Sequence, residues 1–384
     1  MEFIKMGVIG VGNMGSTHAK SIAQGLVPGM QLVAIADRDA NRREWATKNL
    51  PDTITIFEEG DDLIDSGICD AVIIATPHYQ HPVLAIKAMK KGLHVMCEKP
   101  AGVYTKAVRE MNEVAAQCDV TFAMMFNQRT NCVFRKMREL VQSGKYGQIK
   151  RVNWIITTWY RTQSYYDSGA WRATWAGEGG GVLLNQCPHN LDLLQWICGM
   201  PSKVTAFCHE GKWHDIEVED DVTAYLEYPN GATGVFITTT GDAPGTNRFE
   251  ITMDKAKIIC DDFKLSVYEL EVSEREFCFT SKEGFAQPEG KWIEVETDGL
   301  NPQHNGVLAA FAGHILHGEP LVARGEEGIN GLTLSNCMHL SSWLGQPVTL
   351  PIDEDLFYEK LSEKIASSKV KTGESVHFDT EGTY

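Results

Sequence analysis

Positive charge is scarce in this sequence. Its 384 residues carry 35 lysines and arginines against 51 aspartates and glutamates, a formal net charge of −16. Such a surface repels phosphate backbones, which argues against a nucleic-acid partner. The acid is spread along the chain instead of gathered in a tail, so its ordinary role is solvation. Long apolar runs are missing too. None approaches the roughly 20 residues of a membrane span, so no membrane partner is expected. The opening MEFIKMGVIG passes straight into an apolar strand pattern, and no signal peptide is expected. The ten cysteines include no C-x-x-C pair and sit mostly in apolar segments. They read as reduced, buried thiols of a cytoplasmic protein. Cys187 with His189, and Cys208 and His209 with His214, are ligand types whose spacing matches no zinc pattern, so no metal is expected. Internal repeats and low-complexity linkers are absent as well.

What is present is a change of pattern along the chain. Up to about residue 125, short apolar runs (FIKMGVIG, MQLVAIAD, DAVIIATP, HVMCEKP, VTFAMMF) alternate with helical patterns (STHAKSIAQGL, ANRREWATKNL, HPVLAIKAMKKG, KAVREMNEVAAQ). Near-continuous apolar strands between amphipathic helices imply an α/β domain whose parallel sheet is doubly wound and covered on both faces. Beyond about residue 150 the runs IKRVNWIITTWY, PSKVTAFCHEG, DDVTAYLEYPNGATGVFITTTGD, NRFEITMD, AKIICDD and KLSVYELE are separated by turn residues. Asn230-Gly231 is a hairpin signal. These imply a large, mostly antiparallel sheet open to water on one face, in an α+β domain. Val204, Phe207, Tyr225, Val235 and Ile237 lie on it at mixed phases and suggest self-association. Helices return in HNGVLAAFAGHILHG and EEGINGLTLSNCMHLSSWLG.

The first turn reads GVGNMG, with Gly10, Gly12 and Gly15 around Asn13 and Met14. It follows a strand and opens a helix. The first glycine makes the tight turn, the second admits a pyrophosphate, and the third lets helix and strand pack. The N–H groups of the helix start then face the phosphates. Asp37 closes the second strand, where a carboxylate binds both ribose hydroxyls of NAD. Arg38 follows and leaves NADP open, although Asp37 would repel a 2′-phosphate. A dinucleotide-binding Rossmann domain over 1–126 is therefore expected, then a domain for substrate binding and oligomerisation over 127–384. A C-terminal helix is expected to pack back on the first domain.

Thr76 and Pro77 end one strand, and Glu98, Lys99 and Pro100 end the next. Ligands of doubly wound sheets sit outside these carboxyl ends. Further on, GGGVLLNQCPHNLD carries Asn185, His189 and Asp192 into a helix that Pro188 opens and Gly199 ends. Asp192 in the first turn complements the helix dipole, whereas a protonated His189 there is disfavoured. His189 should therefore be neutral and able to accept a proton.

With these motifs the chain resembles the family of glucose–fructose oxidoreductase and inositol dehydrogenase, called Gfo/Idh/MocA. TPHYQHPVLAIKAMKKGLHVMCEKP follows that family's pattern throughout, FNQRTNCVFRKMRELVQSGKYGQIKRV resembles its crossover segment, and GEEGINGLTLSNCMHLSSWLGQPVTLP its C-terminal helix. WRATW, GGGVLLNQ and PHNLD resemble the branch of bacterial glycoside 3-dehydrogenases. The resemblance implies that Lys99 approaches the nicotinamide and the reacting hydroxyl, with His189 across from it as acid/base. It implies that Thr76, Pro77, His81 and Glu98 line the cofactor's ribose and nicotinamide. Arg129, Tyr160, Trp171, Arg172 and Asn185 are the expected substrate contacts beside His189. Trp159, Tyr165, Tyr166 and Trp175 extend the aromatic cluster. Asn185 stands where inositol dehydrogenase-like members have an aspartate. An amide cannot take that proton but can orient a sugar hydroxyl.

The expected function is NAD(P)-dependent oxidation of a secondary hydroxyl of a sugar, at C3 of a glucoside. Lys99 stabilises the developing alkoxide, a role worth about 3–4 kcal/mol on the scale of an oxyanion donor. Proton transfer by His189 adds about 10²–10⁴ in rate. Alternatives are a redox-cycling NAD-dependent glycoside hydrolase, an inositol or polyol dehydrogenase, and a non-catalytic nucleotide sensor. Expected partners are the sugar, a second or further copies of the chain in a homodimer or homotetramer, and an eliminating enzyme that consumes the 3-keto product.

Overall fold

The computed structural model describes residues 2–369. Two sheets organise them. The first contains β1 (Ile4–Ile9), β2 (Met30–Ala36), β3 (Thr55–Phe57), β4 (Ala71–Ile74), β5 (His94–Cys97) and β6 (Phe122–Met124), in the order β3-β2-β1-β4-β5-β6. Every neighbouring pair is parallel. The apolar strand runs have no alternation because helices cover both faces, and Ala71–Ile74 is buried throughout. The chain leaves β1 towards β2 on one side and reaches β4 on the other. A crevice therefore opens at the carboxyl ends between β1 and β4.

The second sheet contains β7 (Ile149–Ile156), β8 (Lys203–Glu210), β9 (Glu219–Glu227), β10 (Thr233–Thr239), β11 (Asn247–Met253), β12 (Ala256–Asp261), β13 (Lys264–Leu270), β14 (Gly290–Glu294) and β15 (Val348–Thr349). Their order is β14-β13-β12-β11-β7-β10-β9-β8-β15. The β7–β10 pair is parallel and the others recorded are antiparallel. The period-two pattern sorts the faces. Val152, Trp154 and Ile156 of β7 point inward, and the Trp154 ring stacks on Phe249 with centroids 4.2 Å apart. Ile155, Phe207 and Tyr225 stand on the exposed face. Val204 is fully buried and belongs to the inner face, which corrects its grouping with Phe207 and Tyr225. Alternation along a strand separates two faces but does not tell which is covered.

The inner face is covered by helices Pro188–Cys198 and Gly328–Leu344, the second packing along β8. The Glu354–Ser367 helix lies against Thr105–Ala115 of the Rossmann half, held by Lys106–Asp355 at 2.6 Å and Arg109–Glu354 at 2.8 Å. Helix Gln303–His317 buries Val307, Leu308 and Phe311 in the same core as Ile4, Met6 and Val8 of β1. A late segment of the chain thus completes one face of the first sheet. Among the described residues, no helix is long and apolar enough to cross a membrane.

Candidate active site

A cleft of about 1070 Å³ runs from the glycine turn after β1 to the aromatic segment 159–172. Gly10, Gly12, Asn13, Met14, Asp37, Arg38, Thr76, Pro77, His81, Glu98 and Lys99 line one part of it. Tyr160, Trp171, Arg172, Asn185 and His189 line the other.

The turn is built as a phosphate cradle. Gly10 has φ +86°, a conformation that a side chain would oppose. A Cβ on Gly15 would lie 1.8 Å from the Gly10 carbonyl oxygen, so only glycine allows the helix to approach. Helix Asn13–Ala23 starts at Gly12 with no side-chain cap, leaving its first N–H groups directed at the cleft. Asp37 accepts from the Val11 N–H at 2.8 Å and from the Asp39 N–H at 2.9 Å. That fixes the carboxylate while each oxygen keeps a further lone pair. These features fit a dinucleotide. Arg38 is largely exposed and ion-paired with Glu59 at 2.8 Å, turned to a carboxylate and not held in reserve for a phosphate.

At the far end of this part, Glu98 is buried and meets His18 Nε2 at 2.6 Å. Burial pushes its carboxyl up, but the His18 hydrogen bond and charge outweigh this and bring it down to about 2. His81 differs from expectation. Its Nδ1 lies 2.7 Å from the Pro100 carbonyl and its Nε2 2.7 Å from that of Thr76. Both ring nitrogens are occupied by the backbone, so His81 braces the two strand ends and has no polar atom to offer a ribose.

Lys99 donates its ammonium to the Asn185 carbonyl at 3.0 Å. Burial lowers the pKa of Lys99, opposed by the charges of Glu98 and Glu178. His189 is 6% exposed and neither ring nitrogen has a hydrogen-bond partner among the described residues. Burial first, then the Lys99 charge, holds its pKa well below the ordinary value. The imidazole is neutral, as expected, but from desolvation more than from its place in the Pro188–Cys198 helix.

The aromatic segment divides. Trp159, Tyr160, Tyr165 and Trp171 line the cleft, with Arg172 stacked over Tyr165 and Trp171 at 4.3 and 4.7 Å. Tyr166 is buried and donates to Thr240, and Trp175 packs beside His339 and Trp343. Asn185 borders the cleft with its amide already engaged. It donates to Glu178 and accepts from Tyr165 OH at 3.2 Å and Gln186 Nε2 at 3.2 Å.

Arg129 is not a substrate contact. Its side chain is 1% exposed and grips Asp192 with Nε at 2.8 Å and Nη2 at 2.7 Å, while Nη1 reaches Glu327 at 2.7 Å. Asp192 therefore serves this buried pair, which corrects the simple dipole role. Sequence reading missed His78, whose Nδ1 meets the Glu178 carbonyl at 3.1 Å, and Gln186, whose Oε1 is buried without a partner among the described residues. It also missed Glu178, buried behind the cleft. No spacing rule marks these three: His78 meets a carbonyl 100 residues away, and Glu178 and Gln186 are placed by irregular turns with no repeating period.

Residues 4–126 match the family model described as "Oxidoreductase family, NAD-binding Rossmann fold", and 134–259 match that of the GFO/IDH/MocA C-terminal domain. The rhizopine catabolism protein MocA of Rhizobium meliloti is 27% identical over 52% of this chain and 58% of its own length. A myo-inositol 2-dehydrogenase of Thermotoga maritima is 25% identical over 86% of this chain and 94% of its own. Among solved structures, the WlbA dehydrogenase from Bordetella pertussis in complex with NADH and UDP-GlcNAcA superposes with a TM-score of 0.76. It is 24% identical and covers 91% of this chain and 100% of its own. A levoglucosan dehydrogenase in complex with NADH and levoglucosan has a TM-score of 0.74 at 19% identity, covering 91% and 99%. These likenesses show a common fold.

Proposed function

This chain belongs to the Gfo/Idh/MocA oxidoreductases and carries their NAD-binding domain, and from that premise we propose that it oxidises a secondary hydroxyl of a sugar, at C3 of a glucoside, to the 3-keto sugar. The observation that carries this reading is the convergence of Lys99 and a neutral His189, unpartnered among the described residues, on one cleft with the glycine turn. NAD, when bound, accepts two electrons and the hydrogen of the carbinol carbon. Gly10, Gly12, Asn13, Met14 and Gly15 would hold its pyrophosphate, Asp37 its adenosine ribose, and Thr76, Pro77 and Glu98 the walls beside its nicotinamide. His189 takes the hydroxyl proton at an unpaired ring nitrogen. Lys99 donates hydrogen bonds to the oxygen as negative charge develops there. The difference in their environments supports these roles, a base kept neutral and a cation backed by carboxylates. Trp171, Tyr160 and the Arg172–Tyr165 pair suit the apolar face and hydroxyls of a pyranose.

A polyol reading also has specific support, since several relatives carry inositol dehydrogenase names. Nicotinamide reduction by the purified protein distinguishes them, with NAD and NADP against a simple glucoside, glucose, galactose and myo-inositol. Reduction of NAD by the glucoside, lost in Lys99→Ala and His189→Ala, supports the proposal. Turnover of inositol alone moves the substrate and keeps the mechanism. Release of aglycone without net reduction points to an internal redox cycle. Copies of the chain associating through the exposed face of the second sheet are part of the same reading.

A further inference from the structure

Glu178 does not line the cleft, yet its polar groups tie together three of the segments that do. Its Oε2 accepts the Ala173 N–H at 2.6 Å. Ala173 has φ +54°, and this bond pins the left-handed turn that presents Trp171 and Arg172. Its Oε1 accepts from the Asn185 amide, and its backbone carbonyl meets His78. Asn185 in turn seats the Lys99 ammonium on its own carbonyl. With Glu178, Tyr165 and Gln186 taking three of the four hydrogen-bonding positions of its amide, Asn185 is a hub held in place that keeps one N–H at the cleft. Among the described residues no carboxylate is recorded within ion-pair distance of the Lys99 ammonium. Glu98, the carboxylate next in sequence, is committed to His18.

We propose that Glu178 is a positioning residue: through Asn185 it holds the Lys99 ammonium in place, and it supplies negative charge behind it. The inference rests on the role given to Lys99 above. The groups facing Lys99 are unequal. Glu98 and Glu178 favour its charged form, joined by the Cys187 thiol if ionised, and Arg161 opposes it. Four imidazoles, those of His78, His81, His189 and His304, feel the Lys99 charge and are held low by burial first and then by it, His81 against its two carbonyl contacts, so they add no positive charge near neutrality. Facing Glu178 are Arg172 at 3.9 Å and the more distant Glu219. Burial raises the Glu178 carboxyl above its ordinary value, and Arg172 and the two N–H donors offset only part of this. Neutralising Glu178 therefore takes away one of the two carboxylates that favour the charged form of Lys99.

The test is E178Q, which keeps an acceptor for Asn185 and removes the charge. Competitive amine labelling of the cofactor-free protein, read at the Lys99 peptide by mass spectrometry, gives the titration midpoint of that amine. The midpoint should fall by about one unit, the low end of what a nearby opposite charge produces. The basic limb of kcat should move down in pH by the same amount, with NADH affinity little changed. E178D should restore part of the shift. An unmoved midpoint and pH profile in folded E178Q overturn the proposal. If E178Q does not fold, N185A keeps the Asn185 backbone carbonyl and removes the tether. A fall in kcat of tenfold or more at unchanged NADH affinity is then expected, and wild-type kcat overturns it. Activity surviving in K99A would instead break the underlying reading of Lys99, so the two failures are separable.

Discussion

Replacing Asp192 with asparagine tests whether Arg129 belongs to the scaffold or to the substrate. Both side chains are 1% exposed, joined by two parallel bonds at 2.8 and 2.7 Å, and Gln195 adds a third donor to Asp192 at 3.0 Å. Burial pulls the Arg129 guanidinium down, and the Asp192 and Glu327 carboxylates outweigh that and keep it charged. The amide preserves volume but removes the central charge, leaving Glu327, a partly exposed partner, to balance the cation. Breaking one side of a buried pair costs about 3–5 kcal/mol, because the remaining charge stays desolvated. Unfolding entropy of about 2.1 cal/mol/K per residue comes to about 0.8 kcal/mol/K for this chain, so Tm should fall by about 4–6 °C. Scanning calorimetry reads that shift, and steady-state kinetics alongside should show KM for the sugar within about twofold of wild type. A D192N variant with unchanged Tm and a KM raised tenfold would refute the reasoning and return Arg129 to the substrate.

Three further outcomes are expected. His189→Ala should lower kcat by about 10²–10⁴ with NADH affinity unchanged in a fluorescence titration, since it removes the base and nothing that holds the dinucleotide. Gly15→Ala should abolish NADH binding in the same titration, because its Cβ would fall 1.8 Å from the Gly10 carbonyl and the helix start must withdraw. Stability should decline as pH falls below about 6.5. The imidazoles of His78, His81 and His189 are held below that value by burial, and that of His304 is held at about 4. The unfolded chain takes up protons there that the native chain refuses, each such site costing up to about 1.4 kcal/mol per pH unit. Urea midpoints at pH 7.5 and 5.5 measure this, and equal midpoints would contradict the burial of those rings.

The parts of the site that could be read in the sequence are those carried by local geometry. Gly10, Gly12 and Gly15 are legible because a tight turn, a close phosphate and a close helix each demand a missing side chain. The apolar runs of β1, β2, β4 and β5 are legible because a strand buried on both faces leaves no polar positions. Pro188 and Gly199 mark their helix because one lacks an N–H and the other accepts positive φ. Lys99 and His189 stood out for the chemistry of their neighbours in the motif. Arg129 and His81 were assigned to ligands for the same reason, and their partners lie elsewhere, while Asn185 does border the cleft with most of its amide engaged. Arg129 found Asp192 63 residues away, His81 found Pro100 and Thr76, and Asn185 found Glu178.

By itself, then, the sequence determined the succession of elements, the dinucleotide turn and the residues whose type suits proton and charge transfer. These follow from backbone stereochemistry and hydrophobic periodicity, which act over a few residues. Tertiary structure alone decided which polar groups are spent on the scaffold and which face the cleft. It buried Val204 and exposed Phe207, left both His189 nitrogens unpaired among the described residues while setting those of His81 against carbonyls, and set Glu178 behind Lys99. The reason is physical. A polar side chain removed from water must find a partner, and which partner it finds depends on the packing of segments that are distant along the chain.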